Sequence, residues 1–226
     1  MNFETWEPVY ESILADFGFD RQADAHARDV LAELTGPFDG RRLAGIEGAT
    51  VAVAGAGPSL PDELDSVADA DYVIAASTAA DVLLAAGLDP DLLVTDVDKN
   101  PETARELTRK GTPVAVHAHG DNLGLIETWV PRFDSEHVLP TTQTAPRGPV
   151  ANFGGFTDGD RGAFLADEFG AGRMEFPGWD FDDPSVDAMK ARKLRWAERL
   201  LHWLETRRGE RFAVLDGRRD GIRSVN

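Results

Sequence analysis

The chain has 226 residues, 42% of them hydrophobic, a formal net charge of −17 and no cysteine. Disulfides, zinc–thiolate sites and thiol nucleophiles are thereby excluded, and no apolar run approaches the roughly 20 residues needed to span a bilayer. A chain this acidic is not a general nucleic-acid binder, because phosphate contacts need a basic face. With 4 Lys against 19 Arg, it reads as a surface adapted to high salt, where self-repulsion is screened. Met1–Tyr10 is acidic and aromatic, unlike a secretory signal, and a cytoplasmic protein is expected.

Trp6, Tyr10, Ile13, Leu14 and Phe17 recur at helical spacing, and Gly18 stops the run. A second helical run, Ala23 to Leu34, stops at Gly36-Pro37. Residues 1–46 are therefore expected to form an N-terminal helical appendage, with an α/β domain over 47–226. From residue 49 short β-rich runs alternate with helical ones. Thr50–Ala54, Tyr72–Ala75, Leu92–Thr95 and Pro113–Val116 read as buried strands, with Pro61–Ala68, Ala79–Ala86 and Pro101–Arg109 as helices between them. Leu123–Val130 and Val138–Leu139 continue the pattern as helix and strand. This alternation predicts right-handed βαβ units and a Rossmann-like, mostly parallel sheet flanked by helices. Residues 141–183 are irregular, with a helix expected at Asp160–Phe169 and a strand at Arg173–Phe176. A long amphipathic helix follows from Pro184 to about Arg207, with Met189, Leu194, Ala197, Leu200, Leu201 and Leu204 on its core face, and Phe212–Leu215 reads as a last strand.

Each expected strand ends in small or polar residues, and parallel strands bring those ends to one edge, where open α/β folds bind ligands. After the first strand, Gly55-Ala56-Gly57-Pro58-Ser59 offers backbone N–H groups to a phosphate, with Pro58 suited to a first helical turn and Ser59 to a cap or a phosphate contact. The second ends at Ser77-Thr78. A dinucleotide fingerprint fails, since Leu60 stands where a third glycine is required and no acid ends the second strand; GxxxxGK[ST] is absent too. Asp96-Val97-Asp98 ends the third strand. In extended backbone, side chains two apart share a face, so Asp96 and Asp98 can share one Mg²⁺, with Lys99 near a phosphate and Asn100 capping the next helix. His117-Ala118-His119-Gly120-Asp121-Asn122 permits ligand contacts or proton transfer by His117, His119 and Asp121; a third soft ligand for zinc is not evident. Thr142 and Gln143, then Asn152, Gly155 and Arg161 in the glycine-rich loop, and Lys190 and Lys193 at i, i+3 on the late helix complete the candidates.

In order and spacing, Gly55-Ala56-Gly57-Pro58-Ser59-Leu60, Thr95-Asp96-Val97-Asp98, His117–Asn122 and Gly178-Trp179-Asp180-Phe181 resemble the archaeal 6-hydroxymethyl-7,8-dihydropterin diphosphokinase family over roughly residues 50–205. The helix bearing Lys190 and Lys193 also looks like that family's. The family is similar to thiamine diphosphokinases in its acidic strand-end motif and unrelated in fold to the bacterial pterin enzyme. The resemblance implies diphosphate transfer from ATP to the pterin hydroxymethyl group with release of AMP, Mg²⁺ held by Asp96 and Asp98, and a role in making folate or a methanopterin-like cofactor. Gly57 and Ser59 would lie at the phosphates, and His117, His119, Asp121 and Asn122 would line the site, with the proton acceptor open between histidine and aspartate. Lys99 and Asn100 depart from the family pattern, where a small residue such as Gly is expected after the second acid. The partners so implied are ATP and a pterin, with a homodimer as the assembly considered and neither nucleic acid nor membrane. The alternatives are a thiamine diphosphokinase, a sugar-nucleotide transferase, or a non-catalytic nucleotide-binding module on the same fold.

Overall fold

The computed structural model describes residues 1–225. Six strands, β1 (Thr50–Ala54), β2 (Tyr72–Ala76), β3 (Leu92–Thr95), β4 (Val114–Ala118), β5 (Val138–Thr142) and β6 (Arg173–Glu175), form one parallel sheet in the order β5-β4-β3-β2-β1-β6. The helices between the first five are α3 (Leu64–Ala68), α4 (Ala79–Ala85), α5 (Pro101–Lys110) and α6 (Leu123–Trp129). The chain steps one way from β1 to β5, then reverses across the whole sheet to β6, carrying α7 (Asp158–Glu168) on the way. Right-handed crossovers put helices of opposite strand progression on opposite faces. The side chains agree: Val51, Val53, Ile74 and Val94 join the core beneath α7, while Ala54, Val73, Ala75 and Leu93 join the other core with residues of α4 and α5.

The expected α/β class is borne out, and several boundaries move. β4 and β5 run on to Ala118 and Thr142, because Ala118 and Thr142 still pair across the ladder; His117, Thr141 and Thr142 are thus strand residues rather than loop residues. The long helix, α8 (Ala188–Arg208), begins four residues later than Pro184, where Asp187 caps it by accepting the N–H of Lys190 at 2.7 Å. Met189 therefore sits in the first turn and is 48% exposed, not on the core face, whereas Ala197, Leu200, Leu201 and Leu204 are buried as expected. Phe212–Leu215 is not a strand. Ala213–Leu215 is a 3-10 turn, since the Phe212 N–H is taken by the Glu205 carboxylate at 2.6 Å and its C=O by Arg219 at 2.8 Å and by the Leu215 N–H at 3.0 Å.

The N-terminal helices, α1 (Phe3–Phe17) and α2 (Arg21–Leu34), are integral to the packing. Gly18 does end α1, in a left-handed cap whose N–H bonds Leu14 O. Trp6, Val9, Tyr10, Ile13 and Leu14 of α1 enter the core that holds α7 and α8; Ala27 and Leu31 of α2 enter the opposite core. The pair straddles the β5 edge of the sheet, with α2 contacting both β4 and β5. Periodicity showed that an apolar face existed and was silent on what it covers.

Trp6 is fully buried against Phe164 and Trp203, and its indole N–H donates to Gln143 O at 2.8 Å. Trp6→Ala is expected to cost about 3–5 kcal/mol, the usual range for emptying a large aromatic site. Denaturant unfolding checks this; a change below about 1 kcal/mol would show that α1 is loosely attached.

Candidate functional site

The carboxyl ends of β1 to β5 open into one cleft of about 650 Å³, walled by α2, by the segment 156–161 and by residues 178–197. At its centre stand Asp96 and Asp98. Strand alternation does not bring them together. Val97 adopts φ +59°, a left-handed conformation that a β-branched residue rarely takes, and the chain turns there. The Val97 N–H donates to Thr95 Oγ1 at 2.9 Å, the Asp98 N–H reaches Asp96 Oδ1 at 3.3 Å, and the Val97 side chain is fully buried. Ser77, at the end of the neighbouring strand, is the other non-glycine residue of positive φ, at +52°, among the described residues. Such strain costs of order 1–3 kcal/mol per residue and gathers at functional sites.

The electrostatics of the pair are asymmetric. Burial works against a charge on Asp96, but His119, a proton shared from Asp98 and nearby Arg161 outweigh it and hold the carboxyl well below its usual range. Burial and the Asp96 charge push Asp98 up to about 6. Asp158, at the start of α7, rises to about 7 through burial and the Asp96 charge, against the pull of Arg161. His119 accepts the Asp121 N–H on Nδ1 at 3.3 Å, so the ring proton lies on Nε2, which faces Asp96 Oδ2 at 3.4 Å. Two carboxylates that share a proton are also the oxygen donors Mg²⁺ prefers. Among the described residues no cluster of three or more His, Asp or Glu is set to hold a metal.

Positive charge converges on the same cleft. Lys99, Lys190 and Lys193, three of the four lysines of the chain, line it together with Arg161. Partial desolvation and the neighbouring Lys99 lower the pKa of Lys190, as expected where cations are gathered ahead of an anion. Ser77 Oγ and Arg161 Nε are buried with no partner among the described residues, and both residues line the cleft.

Of the expected site residues, Gly55, Gly57, Ser77, Thr78, Asp96, Asp98, Lys99, His119, Asp121, Gln143, Arg161, Lys190 and Lys193 line the cleft. His117, Asn122, Thr142, Asn152, Gly155, Pro58 and Ser59 stand outside its lining. His117 is a buried strand residue bonded through Nδ1 to Thr141 Oγ1 at 3.0 Å, and burial pushes its pKa well down. Asn122 spends its amide on Asp96 O at 2.8 Å and His117 O at 2.7 Å, tying two strand ends together. Thr142 donates to Ala118 O at 3.3 Å, and Asn152 to Thr144 O at 2.7 Å. Gly155 is needed for close approach, since a Cβ there would lie 2.6 Å from Arg161 Cα. Asn100 stands at the N-cap of α5 as expected, but its side chain makes no capping bond; its amide donates to Ser77 O at 3.2 Å and Asp81 at 2.9 Å.

The glycine turn after β1 is engaged differently from the expectation. Its N–H groups at Gly55 and Gly57 donate to Pro177 O and Gly178 O, both at 2.8 Å, and that of Ser59 to the Asp180 carboxylate at 2.9 Å. Gly57 is required by this approach, because a Cβ would lie 2.6 Å from Gly178 O. Pro58 precedes only a short 3-10 turn, and Ser59 makes no side-chain cap. The Gly178-Trp179-Asp180 segment is thus docked on the turn, with the Trp179 indole N–H on Val53 O at 2.8 Å. Trp179 and Asp180, quoted above only as part of a family motif, stand in the cleft wall, as do Asp24 and Asp158, which sequence reasoning passed over. Asp24 lies on a helix expected to belong to an N-terminal appendage, and Asp158 starts α7.

A carboxyl whose pKa is raised in the fold destabilises it progressively as pH climbs from the unfolded value to the folded one. For Asp98 that window is pH 4 to 6. In chelator, the Tm advantage of Asp98→Asn over the parent is expected to grow across this window and then level off. An advantage independent of pH would contradict the proton-sharing pair. Added Mg²⁺ is expected to raise the Tm of the parent and not that of Asp98→Asn.

Comparison with known proteins follows this geometry. The family model described as 6-hydroxymethylpterin diphosphokinase MptE-like matches residues 27–185. Among similar curated proteins, the 6-hydroxymethyl-7,8-dihydropterin pyrophosphokinase of Methanothermobacter thermautotrophicus is 38% identical over 224 residues, covering 91% of this chain and 96% of its own. Its namesake from Pyrococcus furiosus is 39% identical over 223 residues, covering 91% and 95%. That of Methanocaldococcus jannaschii is 34% identical over 233 residues, covering 91% and 96%. The chain belongs to the MptE-like family of 6-hydroxymethylpterin diphosphokinases and is, with that family, a transferase.

Proposed function

We propose that this protein transfers diphosphate from Mg-ATP to the hydroxymethyl oxygen of 6-hydroxymethyl-7,8-dihydropterin, releasing AMP. The observation that carries the reading is the Asp96–Asp98 pair set among Lys99, Lys190, Lys193 and Arg161 in a single cleft. An ATP triphosphate needs both kinds of group, carboxylates for its cation and fixed cations for its oxygens. The names and identity of the relatives support the pterin as acceptor.

The acceptor oxygen forms a bond to the β-phosphorus as the bond from that phosphorus to the α–β bridging oxygen breaks, and AMP leaves with the bridging oxygen. Phosphoryl-type transfer rests mainly on positioning and charge neutralisation. Asp96 and Asp98 would hold Mg²⁺, which when bound supplies positive charge to the phosphate oxygens. Lys99, Lys190, Lys193 and Arg161 take the remaining phosphate charge, with Ser77 and Thr78 donating from the end of β2. His119, fixed in its Nε2–H form, keeps Asp96 oriented. Asp121 and Asp158 are two further carboxylates in the cleft lining, available to the hydroxyl proton. The acidic, lysine-poor surface is read as an adaptation to salty cytoplasm. No described helix is long and apolar enough to cross a membrane.

The test is AMP release from Mg-ATP in concentrated salt, with and without the pterin. Pterin-dependent AMP without ADP is expected; ADP as product, or AMP release only with thiamine, would overturn the reading. Lys193→Ala is expected to raise the KM for ATP about tenfold, a charge-assisted hydrogen bond being worth about 1.5–3 kcal/mol. An unchanged KM would remove Lys193 from the phosphate set.

A further inference from the structure

We infer that Asp24, on α2, is a positioning residue that fixes the hydrogen-bond polarity of Gln143 and so aims Arg161 into the cleft. This rests on the reading of Arg161 as a triphosphate contact. Asp24 is 3% exposed, and its carboxylate accepts three hydrogen bonds. Gly120 N–H donates to Oδ1 at 2.8 Å; Tyr10 O–H at 2.7 Å and Gln143 Nε2 at 2.8 Å donate to Oδ2. The opposite face of the Gln143 amide, Oε1, accepts from Arg161 Nη2 at 3.2 Å, and Arg161 Nη1 pairs with Asp158 at 3.1 Å.

The two ends of this chain of bonds determine its sense. A backbone N–H and a guanidinium can only donate. Arg161 therefore requires Oε1 of Gln143 to face it, which turns Nε2 the other way. Whatever meets Nε2 must accept, and must also accept from the Gly120 N–H; the Tyr10 hydroxyl, kept protonated by burial and by Asp24, donates to the same oxygen as Gln143. Only a carboxylate accepts all three. Packing leaves little slack: a Cβ on Gly120 would lie 2.7 Å from Ala23 Cβ, so α2 sits directly on the turn that carries His119 and Asp121. The Gln143 backbone is fixed from the other side by the Trp6 indole. One buried carboxylate thus holds the loops after β4 and β5 together and, through Gln143, the side chain of α7 that reaches the cleft.

This polarity makes a specific exchange testable. In Asp24→Asn the amide keeps one acceptor for Gly120 and presents a donor to Gln143. Gln143 must then flip, which turns its own donor toward Arg161. With Gln143→Glu added, one carboxylate oxygen accepts from Asn at position 24 and the other from Arg161, and the charge of the pair is conserved. We expect Asp24→Asn to raise the KM for ATP about tenfold, and Asp24→Asn with Gln143→Glu to bring it back within about threefold of the parent. Tyr10→Phe, which removes a donor without touching Gln143, is expected to change KM by less than about threefold. An unchanged KM in Asp24→Asn, a double variant no better than the single one, or Tyr10→Phe as damaging as Asp24→Asn would each overturn the relay. A parent protein without pterin-dependent AMP release would overturn the proposed reaction instead. The relay would then be decided on the same variants by calorimetric affinity for Mg-ATP, with the same ordering expected and the same reversals contradicting it.

Discussion

The left-handed turn at Val97 is the constraint around which the rest of the site is arranged. A β-branched residue at φ +59° is unfavourable, and the turn brings two carboxyls close enough to share a proton, which is unfavourable again once both ionise. Neither condition persists unless neighbours impose it. Burial of the Val97 side chain in the core under α4 and α5, the Thr95 hydroxyl on the Val97 N–H, and the Asn122 amide on the Asp96 carbonyl supply that imposition. Stability is given up locally to hold the two carboxyls together, the arrangement from which the proposed cation site is built.

The supporting shell reaches well beyond the strand ends. Asn100 ties the turn to the end of β2, Asn122 ties it to β4, and Asp24 ties β4 to β5 from a helix that precedes the sheet in sequence. Polar residues just outside the cleft thus serve as braces between parallel strands whose own ladders have ended. The docking of Gly178-Trp179-Asp180 on the glycine turn performs the same task at β1. This edge of the sheet is accordingly a web of side chain-to-backbone bonds, which suits the proposed chemistry, dependent on placement more than on a reactive protein group.

The sheet, its parallel sense and most of its strands were legible, because buried parallel strands are short apolar runs and the helices between them are periodic. The acidic pair was legible as a pair for an incorrect geometric reason, since alternation in an extended strand was assumed where a left-handed turn is present. The expected strands stopped at Val116 and Leu139, two and three residues short of the ends of β4 and β5, so His117 and Thr142 were taken for loop residues where both are buried strand residues. Asp24 was invisible, since a lone acid in a polar helix face carries no sign of the loops that will fold onto it. Lys99, Lys190 and Lys193 were each legible as candidate contacts, but sequence could not bring Lys99, at the end of β3, into one cleft with the two lysines of α8. The Asp180–Ser59 bond, spanning 121 residues, has no local signature at all.

The central claim is that Asp96 and Asp98 form the cation site through which the triphosphate is held. Its most direct measurement is calorimetric binding of a non-transferable ATP analogue, with and without Mg²⁺, to the parent and to Asp96→Asn. The account predicts that Mg²⁺ tightens binding to the parent at least tenfold and leaves the variant nearly indifferent to it. An equal gain from Mg²⁺ in both proteins would contradict the account and move the cation elsewhere in the cleft.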